Sequence, residues 1–359
     1  MPYRIPLGPY HPSLDEPYKT TLRCKGEKIE AVDIDIGFNF RGVELLAQRR
    51  NYIQNLALVE RVCGICSCVH TLTYVMAVEC IAGIEVPPRA QHIRLVVAEL
   101  ERVHSHLLWA GIAAEEIGFQ TLFMEVFALR ERVMDLLESI SGNRVNYAMN
   151  RIGGTNRDIS DPSSLLSAVR ETRAGLEKEV VPVFLHDRTI RARTEGVGIL
   201  TRKDALQYGV VGPVARASGI AADTRADLPY LVYGELGFRI VTASEGDVRS
   251  RIVVRALEVL ESARLIEEAL KKMPGGPIAI PTRYPYVPAG EAAARAEGPR
   301  GEVFYYVGSD GSDTPARVKI RTPTFVNIPA VRAMSIGQDL ADMPLIQAAL
   351  DPCYSCTDR

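Results

Sequence analysis

The chain of 359 residues is 47% hydrophobic and 24% charged, with a formal net charge of −2, which is enough apolar material for a sizeable buried core. Its basic residues are scattered, which argues against nucleic acid as a partner. No apolar run approaches the roughly 20 residues that cross a bilayer, and the start "MPYRIPLGPYHPSLDEP" has neither the charged head nor the apolar middle of a signal peptide, so the chain itself is expected to be soluble and cytoplasmic.

Residues 1–40 read as strand and turn. Pro2, Pro6, Pro9, Pro12 and Pro17 exclude a helix there, and "KGEKIEAVDIDIGF" alternates apolar and polar residues around a turn, as a hairpin does. Helical spacing then takes over. Ile93, Val96, Val97, Leu100 and Leu107 recur at threes and fours, and a second stripe runs through Leu122, Val126, Val133, Leu137 and Ile140, with a break expected at Gly111 and Gly118. A third helix is signalled by Asp161 as N-cap and Pro162 in the first turn. A fourth runs from Asp247 to about Met273 and stops at "PGG".

These segments predict a mainly α (α+β) fold with a central bundle of long helices over 41–273. A glycine-, proline- and tyrosine-rich strand-and-loop lobe over 274–330 and a C-terminal helix with its tail over 331–359 complete it. No linker or repeat divides the chain, so a single domain is expected.

Seven cysteines in a chain too long to need disulfide staples point to thiol ligands or catalysts. Four form two Cys-x-x-Cys pairs, Cys63/Cys66 in "RVCGIC" and Cys353/Cys356 in "DPCYSC". Cys24, Cys68 and Cys80 sit singly and are expected to be buried free thiols. Each pair alone fits half a zinc site, a redox dithiol or part of an iron-sulfur site. A structural zinc joining residues so far apart would staple a chain that has no need of it. Soft thiolates equally select nickel and iron.

"RVCGIC" with His70 four positions on, together with "DPCYSC", resembles the paired signatures of the nickel-iron hydrogenase large subunit. "GPYHPSLDEP", "ELERVHSHLLWAG", "RIGGTNRD" and "GPVARASGIAADTR" extend the likeness to the energy-converting, membrane-associated branch and to its relative, the quinone-site subunit of respiratory complex I. The complex I relative lacks the cysteine pairs, so the four cysteines here favour hydrogen chemistry, and the compact length leans towards the Ech-like subgroup. The other reading is a complex I-like scaffold or quinone-site subunit with a structural zinc or no metal.

The resemblance implies a nickel-iron centre, nickel with Fe(CN)2(CO), in which Cys63 and Cys353 are terminal nickel ligands and Cys66 and Cys356 are bridges. It implies that Arg300 in "GPRG" sits over the open metal position and contacts a cyanide, that Thr324 hydrogen-bonds the other cyanide, and that His70 donates to a bridging sulfur. Glu16 in "HPSLDEP" matches the family's proton-relay glutamate, with Asp15 a solvated neighbour, and Glu60 or His70 stands as the fallback relay. Glu44 in "FRGVE" resembles a carboxylate that binds Mg2+ in other hydrogenases. Arg359 stands where many of those end in histidine, and pairing of Glu44 with an arginine is the alternative. The role of His11 stays open, and His104 and His106, two apart on a helix, point different ways and are poor candidates for a shared metal.

The implied partners are a small subunit with a proximal 4Fe-4S cluster, further iron-sulfur and membrane subunits, and ferredoxin as electron donor, at the cytoplasmic face of the membrane. The resemblance implies that precursors carry a tail removed after metal insertion; ending at Arg359 is what either a trimmed mature form or a gene without such a tail would give.

Overall fold

The structure, a computed structural model, describes residues 2–11, 14, 16–281 and 286–359; Asp15 and Pro12 lie outside them. The amino-terminal strands β1 (Tyr3–Leu7), β2 (Lys19–Lys25) and β3 (Lys28–Asp35) form an antiparallel sheet in that order, with β2 and β3 joined by the expected tight turn. Alternation buries Leu22, Cys24, Ile29 and Val32 against Val331, Met334, Met343, Ile346 and Leu350 from the other end of the chain. The Tyr18 ring stacks on Tyr354 at 4.2 Å. This second, smaller core fastens the carboxy-terminal tail to the amino-terminal sheet.

The main core is helical. Helix Pro88–Ile117 lies at its centre, with helices Gln120–Ser141 and Val248–Lys272 packed against it and helix Pro162–Gly175 outside the latter. Asp161 accepts from the N–H groups of Ser163 and Ser164 as the expected cap, and Asp247, where the fourth helix was expected to start, accepts from that of Ser250, so both satisfy backbone donors at helix starts. The expected break at Gly111 is absent: the helix runs through it and ends at Gly118, whose φ is 86°. Gly111 serves packing instead, because a Cβ there would stand 2.4 Å from Cε2 of Phe127 on the neighbouring helix.

Helix Ser67–Ala82 gave no periodic signal. Twelve of its 16 residues are buried, so it lacks the polar face on which amphipathic spacing depends. One side of it is covered by the 290–321 lobe. There, β6 (Gly290–Gly298), β7 (Gly301–Ser309) and β8 (Arg317–Arg321) form a second antiparallel sheet. A two-strand pair, β4 (Asn150–Arg151) with β5 (Gly154–Thr155), is the remaining sheet among the described residues. Among the described residues no helix is long and apolar enough to cross a membrane.

Pairing of Gly298 with Gly301 leaves Pro299 and Arg300 as the two residues of the β6–β7 turn, which projects Arg300 into the molecule, where it is buried. The turn rests on Gly212, whose φ is 70° and whose missing Cβ would lie 2.3 Å from the Arg300 carbonyl oxygen. Gly212→Ala meets both a left-handed backbone and a backbone clash. It is expected to cost about 2 kcal/mol or more, seen in thermal denaturation as a fall of several degrees in the midpoint.

Candidate metal centre

Each cysteine pair sits at the start of a helix, but in different register. Cys66 immediately precedes helix Ser67–Ala82, and Cys353 immediately precedes the short helix Tyr354–Asp358. In each pair the first sulfur accepts from backbone N–H groups of its own loop: Cys63 Sγ from Ile65 and Cys66, Cys353 Sγ from Cys356. Such donors stabilise a thiolate. Arg41 ties the loops together, donating to the carbonyls of Arg61, Val62 and Ser355.

All four sulfurs are buried and meet. Cys63 and Cys353 are 3.5 Å apart, Cys66 and Cys356 3.5 Å, and Cys353 and Cys356 3.2 Å, while Cys63, Cys66 and Cys356 lie within 4.8 Å of one another. A disulfide would need about 2.05 Å. Four sulfurs at about 2.3 Å around one tetrahedral metal stand about 3.8 Å apart, close to what is seen. The charges agree. Hydrogen bonds from Cys353, Cys356 and Cys66 hold the Cys63 thiol well below its ordinary pKa, with help from Arg300. Hydrogen bonding to Cys353, Cys63 and Cys66, with burial, pushes Cys356 well above its own. Thiolates so close together repel one another, and a soft metal cation is what lets all four ionise.

Arg300 lies beside them. Its Nη2 bonds Asp351 Oδ1 at 2.8 Å and its Nε donates to the Asp351 carbonyl at 2.9 Å. Burial works against its charge, but Asp351 and the sulfurs of Cys353, Cys63 and Cys66 outweigh it and hold the guanidinium ionised. Thr324 Oγ1 accepts from the Cys353 N–H at 3.0 Å, which leaves its own proton to donate.

His70 Nε2 is 3.4 Å from Cys356 Sγ and its Nδ1 is 2.8 Å from the Tyr305 hydroxyl. Burial lowers its pKa to about 4 and pushes that of Tyr305 well up. The neutral ring thus bridges the Tyr305 hydroxyl and the Cys356 sulfur through its two nitrogens. Glu16 Oε2 accepts from the N–H groups of Tyr354 and Ser355, next after Cys353, at 2.6 and 2.8 Å, and burial raises its pKa.

Glu44 is placed otherwise. Its oxygens take the Ile320 N–H, Lys319 Nζ at 3.1 Å, Arg359 Nε at 3.3 Å and Arg317 at 3.4 Å. With three cations already on one carboxylate, the expected magnesium does not fit there, and the alternative, pairing with an arginine, is what the structure holds. Cys80 is exposed rather than buried, whereas Cys24 and Cys68 are buried as expected. His106 bonds Glu258 at 2.8 Å and His104 accepts from Arg130 at 3.2 Å, so the two histidines diverge. His11 is exposed. Glu60 is buried and accepts from the Ala148 N–H.

Sequence reasoning passed over Asp351, Tyr305 and Arg41. Asp351 and Arg41 stand inside the quoted motifs "DPCYSC" and "FRGVE" and could have been read as partners; a tyrosine inside a strand carries no such signal. Glu101 was also missed. From the central helix it accepts the N–H groups of Cys68 and Val69 at 2.6 and 3.0 Å, capping the buried start of helix Ser67–Ala82 from outside.

Comparison with known proteins agrees with this geometry. The model of the family described as "Nickel-dependent hydrogenase" matches residues 41–110, and that of the "Respiratory-chain NADH dehydrogenase, 49 Kd subunit" matches 116–286 and 279–359. A Membrane-bound hydrogenase subunit alpha from Pyrococcus furiosus is 45% identical across 99% of this chain and 87% of its own length. This chain belongs to the nickel-iron hydrogenase and complex I 49 kDa subunit family. Within that family a Carbon monoxide-induced hydrogenase from Rhodospirillum rubrum is 43% identical over 99% of both chains. The solved structure of an archaeal membrane-bound sulfane sulfur reductase complex contains a chain that superposes with a TM-score of 0.93 at 36% identity, covering 99% of this chain and 98% of that one.

Glu101 offers a test of how tightly this family's metal loop is held. Burial pushes its pKa up from 4.5 to about 8, against the two N–H bonds. A carboxyl that binds its proton more tightly when folded contributes fully below the unfolded pKa, and that contribution is lost as the pH climbs through the folded one. Stability should therefore fall between about pH 4.5 and 8 by on the order of 4 kcal/mol from this group. Glu101→Gln should flatten that slope, measured as the difference in urea unfolding between pH 5 and pH 8.

Proposed function

We propose that this chain is the catalytic subunit of an energy-converting nickel-iron hydrogenase, interconverting H2 with protons and low-potential electrons. The observation that carries the reading is the meeting of four buried sulfurs from loops 290 residues apart, with a charged, buried arginine beside them. Cys63, Cys66, Cys353 and Cys356 would hold the nickel-iron centre, Cys63 and Cys353 as its terminal ligands and Cys66 and Cys356 as its bridging ligands. When bound, the nickel-iron centre supplies the redox chemistry by which the H–H bond is made or cleaved.

The chain's own residues prepare its surroundings. Arg300, clamped by Asp351, presents a fixed planar donor and a positive charge over the sulfurs, suited to polarising a small substrate and to holding an anionic ligand. Thr324 has one hydroxyl proton to offer a second such ligand. His70, neutral and oriented by Tyr305, donates to the Cys356 sulfur and moderates its basicity. Glu16 holds a transferable proton next to Cys353.

Electrons leave through a partner. Relatives described as membrane-bound support a place in a membrane complex; within this reading the partners are an iron-sulfur small subunit and membrane subunits at the cytoplasmic face, with ferredoxin as donor. The whole chain acts as one domain in this reading. The sulfane sulfur reductase likeness favours a second reading, a sister oxidoreductase without hydrogen chemistry.

Metal analysis separates them. About one nickel per chain, with infrared bands of iron-bound CO and cyanide and hydrogen/deuterium exchange, is expected. Zinc or no metal, or sulfane sulfur reduction without exchange, would overturn the hydrogenase reading. Cys356→Ser should abolish nickel retention and turnover together, since a hard, high-pKa oxygen is a poor bridge between soft metals. Arg300→Lys should keep the metals and the infrared bands but cut turnover by roughly 10²-fold, because a flexible ammonium cannot hold the guanidinium's donor geometry.

A further inference from the structure

The carboxylate that holds Arg300 is itself approached from its other side. Asp351 directly follows helix Met343–Leu350, in a left-handed conformation with φ of 57°, and is buried. Its Oδ1 and its carbonyl both serve Arg300. Its Oδ2 has no hydrogen-bond partner among the described residues, a costly condition for a buried charged oxygen. The cation facing that oxygen is Arg255 of helix Val248–Lys272. Its Nε stands 4.0 Å away and is likewise without a hydrogen-bond partner among the described residues.

Arg255 is held in place on every other side. Its guanidinium carbon lies 4.2 Å from the centre of the Trp109 ring, its Nη1 donates to the Arg251 carbonyl at 3.3 Å and its Nη2 to the Leu350 carbonyl at 3.4 Å. Trp109 Nε1 donates in turn to the Ala348 carbonyl at 2.6 Å. The two side chains thus receive the last carbonyls of helix Met343–Leu350, which has no basic residue of its own in that turn. Burial brings the pKa of Arg255 down to about 10, which leaves it charged at neutral pH. A carboxylate beside a guanidinium commonly gives it both oxygens. Here Arg300 takes one carboxylate oxygen, and its Nη1 stays with Ser105 Oγ at 3.4 Å.

We propose that Arg255 is a positioning residue for Arg300: it draws the second oxygen of Asp351 to itself and so fixes where the Arg300 guanidinium stands beside the sulfurs. The inference rests on the reading of Arg300 as the donor over the metal centre. Without the Arg255 charge, Asp351 turns its free oxygen onto Arg300, and the two-oxygen grip that results pulls the guanidinium off Ser105 and towards the tail. Arg255 takes no part in the chemistry itself; its effect reaches the centre through Asp351 and Arg300.

Two variants test this in the purified complex. Arg255→Gln can still donate to a tail carbonyl but has no charge, and Arg255→Lys keeps a charge; Arg255→Met takes the place of the glutamine variant should that one fail to fold. Arg255→Gln should retain nickel, shift the infrared bands of iron-bound cyanide and lower turnover roughly 10-fold, and Arg255→Lys should recover most of the loss. In an Arg300→Lys background the same Arg255→Gln change should cost less than about 2-fold more, because residues that act through one another are not additive. Unshifted bands, no recovery by lysine, or an undiminished cost in the Arg300→Lys background would overturn the proposal and leave Arg255 as support for the tail helix alone. A side-chain-resolution structure of the Arg255→Gln complex reads the geometry apart from the chemistry. Asp351 Oδ2 turned onto Arg300 is expected there, and an unchanged Arg300–Asp351 arrangement would sink the idea. If the wild-type complex shows no cyanide bands, the hydrogenase reading falls, while that geometry still decides the role of Arg255.

Discussion

Four thiols from opposite ends of the chain must be brought out of water into one spot and must there be able to carry negative charge. That demand governs the architecture. Charge in a dry interior is costly unless it is paired and hydrogen-bonded, and each neighbour of the sulfurs supplies part of the compensation. Backbone N–H groups of the two loops point at Cys63 and Cys353. Arg300 adds a full positive charge, itself balanced by Asp351. His70, kept neutral by burial, offers a donor without a second charge. The amino-terminal sheet, far from the chemistry in sequence, holds the tail that brings Cys353 and Cys356 to their partners.

Arg300 can act only if its turn is placed accurately, and a buried ionic network does the placing. Arg102 from the central helix donates to the carbonyls of Glu297 and Gly298, the last residues before the turn. Arg102 pairs with Glu99, which also receives Arg225 and the Tyr233 hydroxyl. Arg225 shares Asp223 with Arg216, and Arg216 reaches Glu258 and Glu297. Replacing such pairs with apolar side chains can leave stability unchanged or improve it. Their value here is register: each arginine reaches its carboxylates or carbonyls in one arrangement of helix, loop and strand, and that arrangement aims the β6–β7 turn at the sulfurs.

Much of this was readable from local chemistry. The cysteine pairs, their spacing from His70 and the turn "GPRG" announce themselves because metal ligands and tight turns have few substitutes. Asp161 was legible as a cap for the same reason. What failed to show depends on context. Helix Ser67–Ala82 is buried on nearly every side and so has no stripe. Gly111 looks like a breaker in sequence, but its helical backbone and the Phe127 ring against it exist only in the packed structure. The carboxylate Glu44 carries the same chemistry whether it meets a magnesium ion or three basic side chains, and only the fold brings Arg317, Lys319 and Arg359 to it.

The family to which this chain belongs includes proteins named for different reactions, and the division of labour seen here explains how one fold accommodates them. The two cores are closed by aliphatic and aromatic packing, in which the four cysteines are a minor part, and the arginine–carboxylate network is built from other side chains. Stability and chemistry are thus carried by separate residues. Loss of the sulfurs would remove the proposed metal ligands yet leave the helices, the β6–β7 turn and the clamped tail with their own reasons to fold. Such a scaffold can serve other uses, as expected when function resides in a site grafted on a fold. Retention of all four cysteines, together with the hydrogen-bond donors that serve them, is therefore a statement about chemistry, since the fold would not require it.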